Sequence, residues 1–137
     1  MSKRLQFESI LEQIPLFESM TAYERAALAD GFDEVNYEDS ARIIHEGEQG
    51  SSFYILLDGE AVATQTDANG EQQEVKAYVT GGYFGELALL RNEVRAASVT
   101  AVTDCSCIVL DKSSFERLLG PVHDILARNA DNYAKHV

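Results

Sequence analysis

The sequence predicts a mainly β domain flanked by α-helices, with helices first, then a β-roll or sandwich, then helices again. Three observations carry this expectation. Residues 4–30 repeat apolar side chains at intervals of three and four, the spacing of one helix face. Residues 32–79 alternate short apolar runs with clusters of Gly, Asp, Asn and Glu, the rhythm of short strands joined by turns. Beyond residue 111 the helical spacing returns.

The elements follow in order. Phe7, Ile10, Leu11 and Ile14 form the first apolar stripe, and Pro15, which has no N–H to donate, interrupts it. Thr21, with Glu24 three residues on, has the form of a capping box. It opens a helix carrying Tyr23, Ala27 and Leu28 that Gly31 can stop. Strand candidates are Val35–Tyr37, Ile43–His45, Phe53–Leu57, Ala61–Thr66 and Val75–Val79. Asp58-Gly59, between two apolar runs, is the sharpest hairpin signal, and Asn69-Gly70 is a second. An extended approach to Gly85, then Ser98–Val102 and Cys105–Leu110, bring the strand candidates to eight. Asp111 or Ser113 can cap a helix with Phe115, Leu118 and Leu119. Gly120-Pro121 ends that helix and starts another, in which Val122, Ile125, Leu126 and Tyr133 share a face. No repeat or linker is evident, so residues 1–137 read as one domain: helices 1–31, β-roll 32–110, helices 111–137.

Composition narrows the function. A length of 137 residues, 45% of them hydrophobic, suits a single packed domain. No run approaches the ~20 apolar residues that span a membrane. The N-terminus lacks the charged and apolar regions of a signal peptide, so a cytoplasmic protein is expected. The net charge of −12, from 23 acidic and 11 basic residues, repels duplex DNA and anionic lipid, so neither nucleic acid nor membrane is an expected partner. The same charge repels any anionic ligand at long range, so an anion site here must act through short contacts. Cys105 and Cys107 lie two apart on one strand face, where a bridge would be strained, and are expected as buried thiols. His45, His123 and His136 are scattered, no Ser-His-Asp or Cys-His set is assignable, and no Gly-rich loop ends in Lys-Ser/Thr. No catalytic residue and no metal ligand is therefore expected, and the chain is not read as an enzyme.

One stretch, Tyr83-Phe84-Gly85-Glu86-Leu87-Ala88-Leu89-Leu90-Arg91-Asn92-Glu93-Val94-Arg95-Ala96-Ala97-Ser98, concentrates the chemistry. A flexible Gly85 precedes a short run of helix formers, whose first N–H groups favour an anion. Arg95 offers a fork that fits phosphate oxygens, and the small Ala96 and Ala97 let a ligand approach the backbone. Glu86 would repel a phosphate, so it needs a different partner, most simply a hydroxyl. Phosphate and sugar hydroxyl together describe a nucleotide.

On these residues the stretch resembles the phosphate-binding cassette of cyclic-nucleotide-binding domains. Phe84-Gly85-Glu86-Leu87-Ala88 with Arg95-Ala96-Ala97 is the most specific part. Phe115-Glu116-Arg117-Leu118-Leu119-Gly120-Pro121 and Asp124-Ile125-Leu126 extend the resemblance over nearly the whole chain. They are similar to the second nucleotide domain of the regulatory subunit of cyclic-AMP-dependent protein kinase.

The resemblance implies an eight-stranded, jelly-roll-like β-roll with a cassette at 84–98 and C-terminal B and C helices. It assigns Arg95 to the exocyclic phosphate oxygens, and the N–H groups of Leu87, Ala88 and Ala96 as further phosphate donors. It assigns Glu86 to the ribose 2′-hydroxyl, places Gly85 where a Cβ would crowd the sugar or the turn, and has Tyr133 fold over the base. Ala96 lacks the hydroxyl that cyclic-GMP-preferring relatives often carry, which points to cyclic AMP (cAMP) as the ligand, with no cofactor. Val94 departs from the usual Pro, and Ala134 from a polar residue found in some relatives. The implied function is a monomeric regulatory fragment whose last helix swings about Gly120-Pro121 on binding, relieving inhibition of a kinase catalytic subunit in the full-length protein. The alternatives are the same domain in a cyclic-GMP kinase or channel, or a structural docking domain.

Overall fold

The computed structural model describes residues 3–91, 93–120 and 123. Two N-terminal helices, α1 (Lys3–Gln13) and α2 (Ala22–Gly31), flank a 3-10 turn at Pro15–Phe17. Eight strands follow: β1 (Asp33–Tyr37), β2 (Arg42–Ile44), β3 (Ser52–Asp58), β4 (Ala61–Thr66), β5 (Gln72–Tyr78), β6 (Tyr83–Phe84), β7 (Ser98–Ala101) and β8 (Cys105–Asp111). A short helix α3 (Glu86–Arg91) lies between β6 and β7, and α4 (Lys112–Leu118) follows β8. The strands form two four-stranded antiparallel sheets, ordered β1-β8-β3-β6 and β2-β7-β4-β5. This is the β-roll the strand spacing predicts, in the jelly-roll-like form the resemblance implies.

The local signals explain most boundaries. Thr21 Oγ1 accepts from Glu24 N at 3.1 Å while Glu24 Oε1 accepts from Thr21 N at 2.8 Å, so the capping box forms. Of the two cap candidates for α4, Asp111 is the one used: its Oδ1 accepts from Ser114 N at 2.7 Å. Asn69-Gly70 does form a hairpin, joining the paired strands β4 and β5. Asp67 organises that loop by accepting from Asn69 N at 2.8 Å and Glu71 N at 2.9 Å.

Asp58-Gly59 is not a hairpin, contrary to its sequence signal. β3 and β4 belong to different sheets, and the turn carries the chain from one to the other. The apolar runs on either side each find other partners: β3 pairs with β8 and β6, β4 with β5 and β7. The corner itself is fastened to the β7–β8 loop. Glu60 N donates to Thr103 Oγ1 at 3.0 Å, and Val102 N donates to Glu60 O at 2.9 Å.

Two cores result from strand alternation. On β3 and β8, Phe53, Ile55, Ile108 and Leu110 face the helices and pack with Leu11, Phe17, Leu28 and Phe115. The Phe53 ring is central there, 5.5 Å from Phe115 and 5.9 Å from Tyr83. The intervening Leu56, Cys105 and Cys107 point between the sheets, with Ile44, Ala63, Tyr78, Phe84 and Val99. Both cysteines are buried free thiols, as their spacing predicts. Among the described residues no helix is long and apolar enough to cross a membrane. Apart from His123, the expected last helix, including Tyr133 and Ala134, lies outside the described residues.

Candidate functional site

The site is built where β6 leaves its sheet. Phe84 pairs with Tyr54 on β3, and the next residue, Gly85, takes φ +91°. Side-chained residues are strained in that region. Space excludes them as well: a Cβ on Gly85 would lie 3.0 Å from both Arg95 Nη1 and Ser52 O. The turn delivers Glu86 to the first position of α3, where its side chain is only 1% exposed.

Arg95 arrives from the other direction and is also buried, at 7% exposure. A buried guanidinium is costly unless its N–H groups find acceptors. Here Nη1 donates to Gly85 O, and Nη2 donates to Ser52 O at 2.7 Å. The Tyr54 ring, stacked on Phe84, lies with its centroid 6.0 Å from Arg95 Cζ, within cation–π range. The Arg95 backbone is clamped by the β2–β3 loop: its N–H donates to Glu48 O at 2.7 Å, and its carbonyl accepts from Gly47 N at 2.9 Å. Val94, the residue that departs from Pro, is exposed but forms an isolated antiparallel bridge with Gln49, so pairing holds the segment in place.

Electrostatics follow from burial. Desolvation lowers the Arg95 pKa, while Tyr54 and Glu86 oppose that shift; the group remains a cation. Tyr78, buried against Phe84, has its phenol pushed up by desolvation, then by the Glu86 carboxylate and by Tyr83. It therefore stays neutral beside Glu86. One carboxylate oxygen, Glu86 Oε2, is buried and accepts no hydrogen bond among the described residues, although the Glu86 residue does have an interaction partner.

The structure thus brings Gly85, Glu86, Ala88, Arg95, Ala96 and Ala97 into one corner of the roll, with Leu87 inside α3. Ala88 and Ala97 are buried and Ala96 is exposed. The Ala96 carbonyl accepts from Gln65 Nε2 at 3.0 Å, one step beyond the point where the β4–β7 ladder ends at Thr64 and Ser98. Tyr133 lies outside the described residues. Sequence reasoning missed Ser52, Tyr54, Gln65 and the Gly47–Gly50 loop. The loop's only signal was Glu46-Gly47-Glu48-Gln49-Gly50, which read as a plain turn.

A forked cation and a carboxylate buried in one corner suit a ligand with an anionic group on one side and a hydroxyl on the other. Among the described residues no group of three or more His, Cys, Asp or Glu could hold a metal ion.

Known proteins share this architecture. The chain is 41% identical over 134 residues, 98% of its length, to a cAMP-dependent protein kinase regulatory subunit of Blastocladiella emersonii. It covers 33% of that relative, so it spans about a third of the length of the curated relatives it matches. The regulatory domain of Toxoplasma gondii PKA, solved with cAMP, superposes with a TM-score of 0.92 at 41% identity, over 96% of this chain and 51% of that one. A PKAR CBD2 structure bound to Sp-2Cl-cAMPS gives a TM-score of 0.87 at 47% identity, over 97% of this chain and 88% of that one. Residues 34–120, from β1 to the end of α4, match the family model of the cyclic nucleotide-binding domain, and the chain belongs to that family.

Proposed function

We propose that this chain is a cAMP-binding regulatory module, one unit over residues 1–137, and that it acts by binding rather than by catalysis. The carrying observation is the burial of Arg95 and Glu86 in one corner, held there by the Gly85 turn and the β2–β3 loop. Arg95 takes the exocyclic phosphate oxygens, joined by the N–H groups of Leu87, Ala88 and Ala96. Glu86 accepts from the ribose 2′-hydroxyl. Ala97 and Gly85 keep the approach open, and Ala96 offers no hydroxyl to a guanine amine, which favours adenine. Tyr133 stacks on the base, a contact that contributes about 1–3 kcal/mol. It links occupancy to the position of the last helix about Gly120-Pro121.

Within a regulatory subunit of the relatives' length, of which this chain spans about a third, that shift loosens the grip on a kinase catalytic subunit. A ligand moves such an equilibrium only by binding one conformation better than the other. The similar proteins described as cAMP-bound support the choice of nucleotide. The module is proposed to be cytoplasmic and monomeric.

Calorimetric titration with cAMP, cyclic GMP and AMP tests this reading. Tightest binding of cAMP is expected. Absence of both heat and a melting upshift at millimolar cAMP sinks the proposal and favours a docking domain with an empty corner.

A further inference from the structure

Behind the guanidinium lies a contact that leaves no room for a side chain. Gly50 closes the β2–β3 loop. A Cβ built on it would lie 2.6 Å from Ala88 Cβ, 3.2 Å from Arg95 Cζ and 3.3 Å from Arg95 Nε. Torsion is not the obstacle, because Gly50 is not among the positive-φ glycines. Space alone excludes alanine. The nearest obstacle is itself a methyl fixed to the α3 backbone, so it has no rotamer into which to retreat. Ala88 is buried, and its carbonyl accepts from Glu93 N at 3.0 Å, which ties it to the segment leading into Arg95.

We propose that Gly50 and Ala88 are a size-matched pair that sets the distance between α3 and Arg95, making Gly50 a positioning residue for phosphate recognition. The inference rests on the cAMP reading of the corner. A methyl on Gly50 wedges the first turn of α3 away from the guanidinium. The Ala88 N–H and the Arg95 fork then no longer converge on one phosphate. Removing the Ala88 methyl relieves the tightest of these contacts from the opposite side, leaving the approach to the guanidinium at 3.2 Å. A lone glycine required only for loop folding would not respond in this way.

The test is a double-mutant cycle on the whole chain: wild type, Gly50→Ala, Ala88→Gly and the double variant. Each is titrated with cAMP by calorimetry and melted without ligand. Gly50→Ala is expected to weaken cAMP by at least about tenfold, the scale of an overpacked contact. Ala88→Gly alone should lose less, and the double variant should bind more tightly than Gly50→Ala. Wild-type affinity in Gly50→Ala, or a double variant whose loss equals the two single losses combined, overturns the pairing. Should Gly50→Ala fail to fold, adding Ala88→Gly must restore both the melting transition and binding; failure to do so also overturns it. A wild-type chain that ignores cAMP removes the site reading and this inference together, whereas normal wild-type binding with an indifferent Gly50→Ala removes the inference alone.

Discussion

Arg95 and Glu86 are opposite charges in one buried corner, yet the proposed ligand asks different things of them. The guanidinium already donates to two main-chain carbonyls, which fix its plane before any ligand arrives. A lysine there would keep the charge and lose the fork, so Arg95→Lys should weaken cAMP by about 1.5–3 kcal/mol, the range of a hydrogen bond to a charged group. Calorimetry checks this, and equal affinity would detach Arg95 from the phosphate. Glu86→Gln should weaken cAMP more than its 2′-deoxy analogue; matched losses would show that the carboxylate does not meet the hydroxyl. Both residues were legible because the cassette is contiguous in the chain. The acceptor Ser52 lies 43 residues from Arg95, and no local pattern announces such a contact. Tyr54 was equally hidden, since an aromatic in an apolar strand reads as core.

Among elements, the sequence marked where strands stop more clearly than what they pair with. The run Ala61–Thr66 coincides with β4, but β5 begins at Gln72, three residues before its apolar part. Gln72, Gln73 and Glu74 pair with β4 on the exposed side, where polarity conceals a strand. Asp58-Gly59 shows the companion error: a turn signal reports that the chain reverses, while sheet membership is set by long-range pairing. Helix ends were easier, because caps are local. Asp111 provides a check on this. Its carboxyl sits below the usual aspartate range, chiefly because Ser114 N donates to it. A lowered folded pKa contributes stability that is present above the unfolded value and lost as pH falls through the folded one. Thermal melts of Asp111→Ala and wild type should therefore differ most at neutral pH and converge in acid. A gap independent of pH would mean that the negative charge of the cap contributes nothing.

At the scale of the molecule, a surface of net charge −12 surrounds a pocket proposed for an anion. Long-range repulsion then opposes encounter, while the short contacts of the corner hold what arrives. Added salt screens the first effect more than the second. Stopped-flow association of cAMP should accelerate with ionic strength, the reverse of a steered encounter, and a rate that falls with salt would contradict this balance. The two cores meet along β3 and β8, so the sheet carrying those strands serves both the helices and the roll. Cys107 lies on that shared strand, fully buried, with its thiol pushed up to about 12 by burial and by the neighbouring Cys105. Water-borne alkylating agents reach such a sulfur only when the strand parts from its neighbours. The speed at which Cys107 takes up a label is therefore a built-in clock for breathing of the roll, and it slows whenever an occupant holds the fold shut.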